Sequence, residues 1–375
     1  MKKVLIFYAS YGGGHLNAAT SINEYIKSNY TDVSIEMIDC VKYVNSAIDK
    51  LSTTAYRETA KYAPWVWGRV YSDSNKGPLA HLTSRSNQIL AIRLLKLLKS
   101  KKPDIIISTH PFGSQMCNYL KRKNKINCKI ATIMTDFAPH NQWLVGSNYT
   151  DYFFVAHNKM KDYLSKNSIS TSKIFVTGIP LSNRFLEDYN RISIFKHLGL
   201  NKDLKTVLFF GGGEFGLGKT KTFDLFESLI SNCKAIQVVA IAGKNTKMKQ
   251  AFEDIVLKNN CSKNVKVLSF TTKIPELMAI SDIVITKPGG LTTTECLASN
   301  LPMIIINPIP GQEEENAEFL ENNNVGIWIK KSDDISLIVN DLINDSKKLD
   351  LMKNNSKKLS KSNATSDICN LLLRH

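Results

Sequence analysis

Residues 283–295 read IVITKPGGLTTTE: a short apolar run, a Pro-Gly-Gly break, three threonines and a glutamate one helical turn in. The pattern is that of a buried strand delivering the chain into the N-terminus of a helix. Gly289 and Gly290 remove Cβ where a phosphate can approach the backbone. Thr292 to Thr294 add hydroxyls beside helix N-terminal N–H groups, and Glu295 can accept from ribose hydroxyls. In outline this is a nucleoside-diphosphate site; the competing reading of Glu295 is a surface helix cap. Two more glycine clusters follow apolar runs, GGGH at 12–15 after VLIFYAS and GGGEFGLG at 211–218 after TVLFF. One such cluster is a weak signal, because many strand-to-helix turns carry glycine. Three of them, spread over both halves of a chain, are hard to attribute to packing.

Outward from these turns the chain alternates strand-like and helical segments, which calls for parallel sheets covered on both faces. Strand-like runs are VLIFYA near 4, SIEMID near 34, IIIST near 105, KIATIMT near 129, DYFFVAH near 151 and KIFVTG near 173. After a polar connector at 187–203 the pattern restarts with VLFFGGG, QVVAIAG, VKVLSF, IVITK, PMIIIN and VGIWI. Two Rossmann-like α/β domains are expected, 1–188 and 189–375, with the site in the cleft at the carboxyl ends of the strands. A chain of 375 residues, 43% of them hydrophobic, can bury two such cores. The longest apolar stretches fall far short of the ~20 residues that span a bilayer. The N-terminal run ends in glycines without a small-residue cleavage site, so it reads as a first buried strand and not as a leader. Seven scattered cysteines, with no CxxC pairs, read as reduced core thiols of a cytosolic protein.

The net charge is +16, and it is not evenly spread. Residues 41–130 hold 17 Lys or Arg against Asp49, Glu58, Asp73 and Asp104, leaving +3 for the remaining chain. The same stretch carries Tyr56, Tyr62, Trp65, Trp67 and Tyr71, and a Leu-rich helix at 89–99 trimmed with Arg93, Lys96 and Lys99. Basic charge, interfacial aromatics and an amphipathic helix suit an anionic membrane surface. The competing reading is a core helix with solvating lysines. Nucleic acid is disfavoured, since no recognisable binding module is present. Reversing charges among Arg57, Lys61, Arg69 and Lys76 is the expected way to weaken binding to anionic liposomes.

Several polar residues end strands. His15 follows Gly12–Gly14 at a predicted helix start, where Gly13 and Gly14 let the backbone approach an acceptor and the imidazole reaches the cleft as a general base. The competing reading is a turn-capping histidine. Asp136 and His140, in TDFAPH, can orient that base or touch an acceptor; His110, in STHP, can line the acceptor side or simply satisfy its turn. No DxD follows a strand, and Asp333-Asp334 reads as a helix cap, so no metal or other cofactor is expected.

The set ASYGGGHLNAA, STHPFGS, TIMTDFAPHNQWL, VTGIPL, LFFGGGEFGLG, TKPGGLTTTE and PIPGQEEENAEFL resembles glycosyltransferase family 28, most closely the branch of monogalactosyldiacylglycerol synthases and processive diacylglycerol glucosyltransferases. The resemblance runs from about residue 3 to 330. It implies a GT-B fold, an inverting transfer from a UDP-hexose, and a diacylglycerol acceptor reached from the cytoplasmic face of the cell membrane by a peripheral enzyme. It implies His15 as the catalytic base, beside which Asp136 is the candidate second catalytic residue from the reading above. On the donor side it implies Gly211, Gly212, Gly213, Gly289 and Gly290 against the diphosphate, Gly243 and Ile274 near the uracil, with Phe270 beside it. Thr292 and Glu295 then serve the phosphate and ribose, and Gln312 and Glu313 the sugar hydroxyls, with Asn316 supporting their loop.

Glu214, after the third glycine of GGGEFGLG, departs from a phosphate-binding turn, because an acid repels a diphosphate. Glucose is expected ahead of galactose. The alternatives are N-acetylglucosaminyl transfer to a polyprenyl-linked cell-wall precursor and a non-catalytic nucleotide- or lipid-binding protein on the same fold. A dehydrogenase is disfavoured: no GxGxxG with an acid ~20 residues on follows the first strand.

Overall fold

The computed structural model describes residues 1–10, 13–44, 78–212, 219–232 and 235–374, apart from the side chains of 78–89 and 219–220. All twelve expected strand runs are strands, divided between two six-stranded sheets in which every pairing is parallel. The first sheet holds β1 (Lys2–Tyr8), β2 (Val33–Asp39), β3 (Ile105–Ser108), β4 (Lys129–Ile133), β5 (Tyr152–Phe154) and β6 (Ile174–Phe175) in the order β2-β1-β3-β4-β5-β6. The second holds β7 (Lys205–Phe210), β8 (Ile236–Ile241), β9 (Val265–Leu268), β10 (Ile283–Thr286), β11 (Met303–Ile305) and β12 (Gly326–Trp328) in the order β12-β11-β10-β7-β8-β9. Helices cover both faces of each sheet, so strands such as Ile105–Ser108 and Ile283–Thr286 are buried throughout and read as unbroken apolar runs.

The strand orders fix where a ligand can enter. In the first sheet the chain moves outward from β1 to β2 and then returns to the other side of β1 at β3. In the second it moves from β7 to β9 and returns beside β7 at β10. These reversals splay the following loops apart and open a crevice at the carboxyl ends of the strands. The loops after β1, β3, β7 and β10 carry His15, His110, Gly212 and Gly289.

The two halves are closely joined. Asn316, fully buried, accepts from the Phe137 N–H at 3.0 Å and donates to the Pro288 carbonyl at 2.9 Å. Phe319 stacks on His157 with centroids 4.4 Å apart, and one apolar cluster runs from Met134 and Phe137 to Leu291 and Leu320. The last helix, Ala364–Leu373, crosses back to the first sheet. There Ile368, Cys369 and Leu372 pack with Val4, Ile6 and Ile22, and Thr365 Oγ1 both accepts from the Leu181 N–H and donates to its carbonyl.

The basic Leu-rich helix spans Pro78–Lys101. Its Ala91, Leu94, Leu97 and Leu98 are buried against Cys40–Val44 and the helix Pro111–Arg122, leaving Ile92 exposed among its large apolar side chains from residue 90 on. From residue 91 to 98 the apolar face therefore belongs to the core. Lys99, Lys102, Lys125 and Lys129 line a groove of about 440 Å³ at the N-terminal ends of β3 and β4, the end of the sheet away from the crevice. The aromatic and basic residues singled out between 45 and 77 lie outside the described residues, as does Cys233; the six described cysteines are free thiols. No described helix is long and apolar enough to cross a membrane.

Candidate active site

A cavity of about 520 Å³ lies between the two sheets, lined from both halves of the chain. The helices Gly14–Asn29 and Gly290–Ala298 both begin at its wall. Their unpaired N–H groups and dipole ends give the cavity a positive bias. Gly13, Gly14, His15, Thr135 and Asp136 face it from the first half; Gly212, Gly243, Lys287, Gly289, Gly290, Thr292, Gln312 and Glu313 face it from the second.

His15 is held by its neighbours in one tautomer. Its Nδ1 lies 2.6 Å from the Thr109 carbonyl, which can only accept, so Nδ1 carries the proton. Thr135 Oγ1 approaches the same nitrogen at 2.9 Å, while Thr109 Oγ1 donates to the His15 carbonyl at 2.9 Å. The Nε2 lone pair is thereby left to take a proton. Burial pushes the pKa down to about 4, opposed by the Thr109 carbonyl, so the ring is neutral near pH 7. This arrangement exists because β1, β3 and β4 are successive neighbours, which brings residues 15, 109 and 135 together across three loops.

Asp136 does not orient that base. It is buried on the cavity wall toward Gln312 and Asn316, and its pKa rises to about 7, mainly through burial, with Glu313 and Glu315 adding to the rise and hydrogen bonds from Asn316 and Gln312 opposing it. The orienting partners are Thr109 and Thr135, each one position before a residue the sequence had marked. His110 Nδ1 accepts from the Phe112 N–H at 3.2 Å and caps the helix Pro111–Arg122, and His140 Nδ1 accepts from the Gln142 N–H at 3.1 Å. Both thus satisfy turns, and neither lines the cavity. His110 nevertheless sets its ring edge-on against His15, with centroids 4.6 Å apart. Burial lowers both pKa values, to about 4 for His140, so neither histidine is charged near neutral pH.

The glycines divide by task. Gly289 opens onto the cavity with nothing within 4 Å of where a Cβ would stand, and so does Gly243, at φ +62°. Gly290 meets protein instead: a Cβ there would lie 2.0 Å from the Thr135 carbonyl oxygen, so its missing side chain lets the two halves touch. Gly211 faces away from the cavity, where a Cβ would meet the Phe252 ring at 2.7 Å and Met248 Sδ at 2.8 Å. Gly212, at φ +99°, lines the cavity; Gly12, Gly213 and Glu214 lie outside the described residues. Ile274 opens the helix Ile274–Ile280 and packs against the apolar cluster without reaching the cavity wall. Phe270 stands at the rim, 59% exposed, with Lys244 Nζ 5.2 Å from its ring centroid. Among the described residues, no group of three His, Cys, Asp or Glu is arranged to hold a metal ion.

Glu295 lies one turn beyond Thr292 and has no hydrogen-bond or ion-pair partner among the described residues, and burial raises its pKa to about 8. A carboxyl whose folded pKa is raised favours the folded state at low pH, and that advantage is lost between the unfolded value, near 4.5, and about 8. Glu295→Gln removes the loss. Its melting temperature is expected to match that of the parent near pH 5 and to exceed it by several degrees at pH 9, as read by thermal melts across pH.

Residues 15–181 match the family "Monogalactosyldiacylglycerol (MGDG) synthase", and residues 217–371 match "Glycosyltransferase family 28 C-terminal domain". The chain is 32% identical over 373 residues to a processive diacylglycerol beta-glucosyltransferase of Bacillus licheniformis, covering 97% of this chain and 92% of the relative. It is 30% identical over 381 residues to the protein of the same name from Bacillus subtilis, covering 100% and 95%. In fold it is similar to Acinetobacter baumannii MurG, with a TM-score of 0.67 at 13% identity over 100% of both chains. Twin sheets meeting at a glycine-lined crevice, a histidine held in one tautomer, and end-to-end similarity to these relatives lead to one assignment: the chain belongs to glycosyltransferase family 28, in the branch of the monogalactosyldiacylglycerol synthases and processive diacylglycerol glucosyltransferases.

Proposed function

We propose that this protein transfers glucose, with inversion, from UDP-glucose to diacylglycerol. The observation that carries the reading is the cavity itself, which joins the lone pair on His15 Nε2 to the open N-terminus of the Gly290–Ala298 helix. The acceptor hydroxyl gives its proton to Nε2 as its oxygen attacks the anomeric carbon. The bond from that carbon to the diphosphate oxygen breaks on the opposite face, and UDP departs toward Gly289 and Gly212. Attack on one face of the anomeric carbon and departure from the other inverts its configuration. Gln312 and Glu313, on the cavity wall, serve the sugar hydroxyls, and the carboxyl of Glu295, without a partner among the described residues, serves the ribose.

The same reading draws the unit boundary at 188/189, with Ala364–Leu373 assigned to the first unit because it packs there. The membrane face is assigned to the first unit, since the sequence concentrates basic charge at 41–130 and places Tyr56, Tyr62, Trp65, Trp67 and Tyr71 within that stretch.

The test is direct. Purified protein is incubated with diacylglycerol in anionic mixed micelles and labelled UDP-glucose, UDP-galactose or UDP-N-acetylglucosamine, and the lipid phase is extracted. Label in a β-linked glucolipid with UDP-glucose is the expected result. Label from another donor would reassign the sugar, and none from any donor would overturn the reading.

A further inference from the structure

We infer that Lys287 is the cation that binds the donor's diphosphate and stabilises it as it leaves; this rests on the reading of the cavity as a nucleoside-diphosphate-sugar site. Lys287 directly follows β10 and begins the Pro-Gly-Gly turn, at the strand reversal of the second sheet. Among the described residues lining the cavity it is the sole Lys or Arg, facing the carboxyl groups of Asp136 and Glu313. A dianionic diphosphate entering beside two carboxyl groups meets a repulsive field that helix dipoles, each equivalent to about half a charge, offset only in part. A buried ammonium at the same wall supplies the rest.

The side chain is committed but not saturated. Only 17% exposed, it lies 3.9 Å from Glu313 Oε2, beyond hydrogen-bonding reach. That same oxygen already accepts from the Ile309 N–H at 2.7 Å, so Glu313 has a closer partner of its own. Burial lowers the Lys287 pKa, with Glu313 opposing, and raises that of Glu313, with Lys287 opposing; each charge is therefore under-compensated in the free protein. A diphosphate would give Lys287 the close anionic partner it lacks among the described residues, and would leave Glu313 to accept from a sugar hydroxyl. As the anomeric carbon–oxygen bond breaks, negative charge grows on the diphosphate, so the contact strengthens toward the transition state.

A purely structural lysine that steadies the Glu313 loop is the alternative, and a comparison of ligands separates the two. UDP and uridine are titrated calorimetrically into the full chain and into Lys287→Met, Lys287→Gln and Lys287→Arg. The expected result is a loss of UDP affinity of about 10- to 100-fold in the neutral variants. Uridine affinity should be unchanged, Lys287→Arg should stay within a few-fold of the parent, and kcat in the neutral variants should fall beyond the change in donor KM. Parallel weakening of UDP and uridine, or UDP binding unchanged in the neutral variants, would overturn the assignment while the donor reading stands. Should the methionine variant fail to fold, the shape-conserving glutamine and charge-conserving arginine variants decide the same question. Absence of UDP binding by the parent chain would overturn the donor reading, and the assignment with it.

Discussion

His15→Gln is expected to lower kcat by about 10²- to 10⁴-fold, the range that a positioned general base contributes, while UDP affinity stays within a few-fold of the parent. Glutamine keeps an N–H that can reach the Thr109 carbonyl, so the loop after β1 stays anchored and the loss reflects the missing lone pair and not a collapsed turn. The parent's own pH dependence supplies a second readout. Burial holds the free histidine near pKa 4, so its protonation should not limit kcat/KM above about pH 5. Donor binding brings negative charge into the cavity and raises that pKa, so the acid limb of kcat should lie at higher pH than the limb for kcat/KM. Steady-state rates at saturating and at limiting donor, from pH 4.5 to 8, check both statements. Retention of full kcat in His15→Gln would remove the histidine from the chemistry.

Gly290→Ala is expected to be the most disruptive single-methyl change in the cavity, because its Cβ would lie 2.0 Å from the Thr135 carbonyl oxygen and 3.0 Å from the Asp136 Cα. Both are backbone atoms, so no side-chain rotation relieves the clash and the two halves must separate. Overpacking of this kind costs about 1–3 kcal/mol, and more where backbone must move. Activity should fall further than stability. Thr135 also holds His15 through Oγ1, so displacing its backbone shifts the base from the donor wall. Gly289→Ala is the internal comparison: at φ −67° and ψ 146° with open space around it, alanine is tolerated by the backbone. Its melting temperature should remain within about 1–2 °C of the parent, with any loss confined to donor affinity. Melts and donor titrations on the two variants give opposite patterns if the assignment of the glycines is right.

The strands were legible because parallel strands buried on both faces carry no polar alternation, so IIIS and IVIT stand out as apolar blocks between helical segments. The reversals at β1/β3 and β7/β10 placed the glycine turns at one crevice, and there the general position of the site followed. The partners within it were less readable. His15 is oriented by a main-chain carbonyl, which leaves no side-chain signature, and the alignment of Thr109 and Thr135 with it depends on strand order. Asp136, the visible acid beside the site, turned to the other half of the chain instead. The glycines at 211 and 290 carry the same letter as those at 212 and 289, yet one pair makes room for protein and the other for the cavity. Lys287 was hidden in plain view within the opening motif, where glycine and threonine drew the reading toward backbone contacts.

The helix Ala364–Leu373 has a consequence for the order in which the molecule is made. It closes over Val4, Ile6 and Ile22, more than 340 residues earlier in the chain. At about 5–20 residues per second, the chain from residue 189 to this helix takes roughly 10–35 s to synthesise. Throughout that interval Val4, Ile6 and Ile22 lack the cover that Ile368, Cys369 and Leu372 give them. The amino-terminal unit is thus expected to complete its core only after this distant helix has been made.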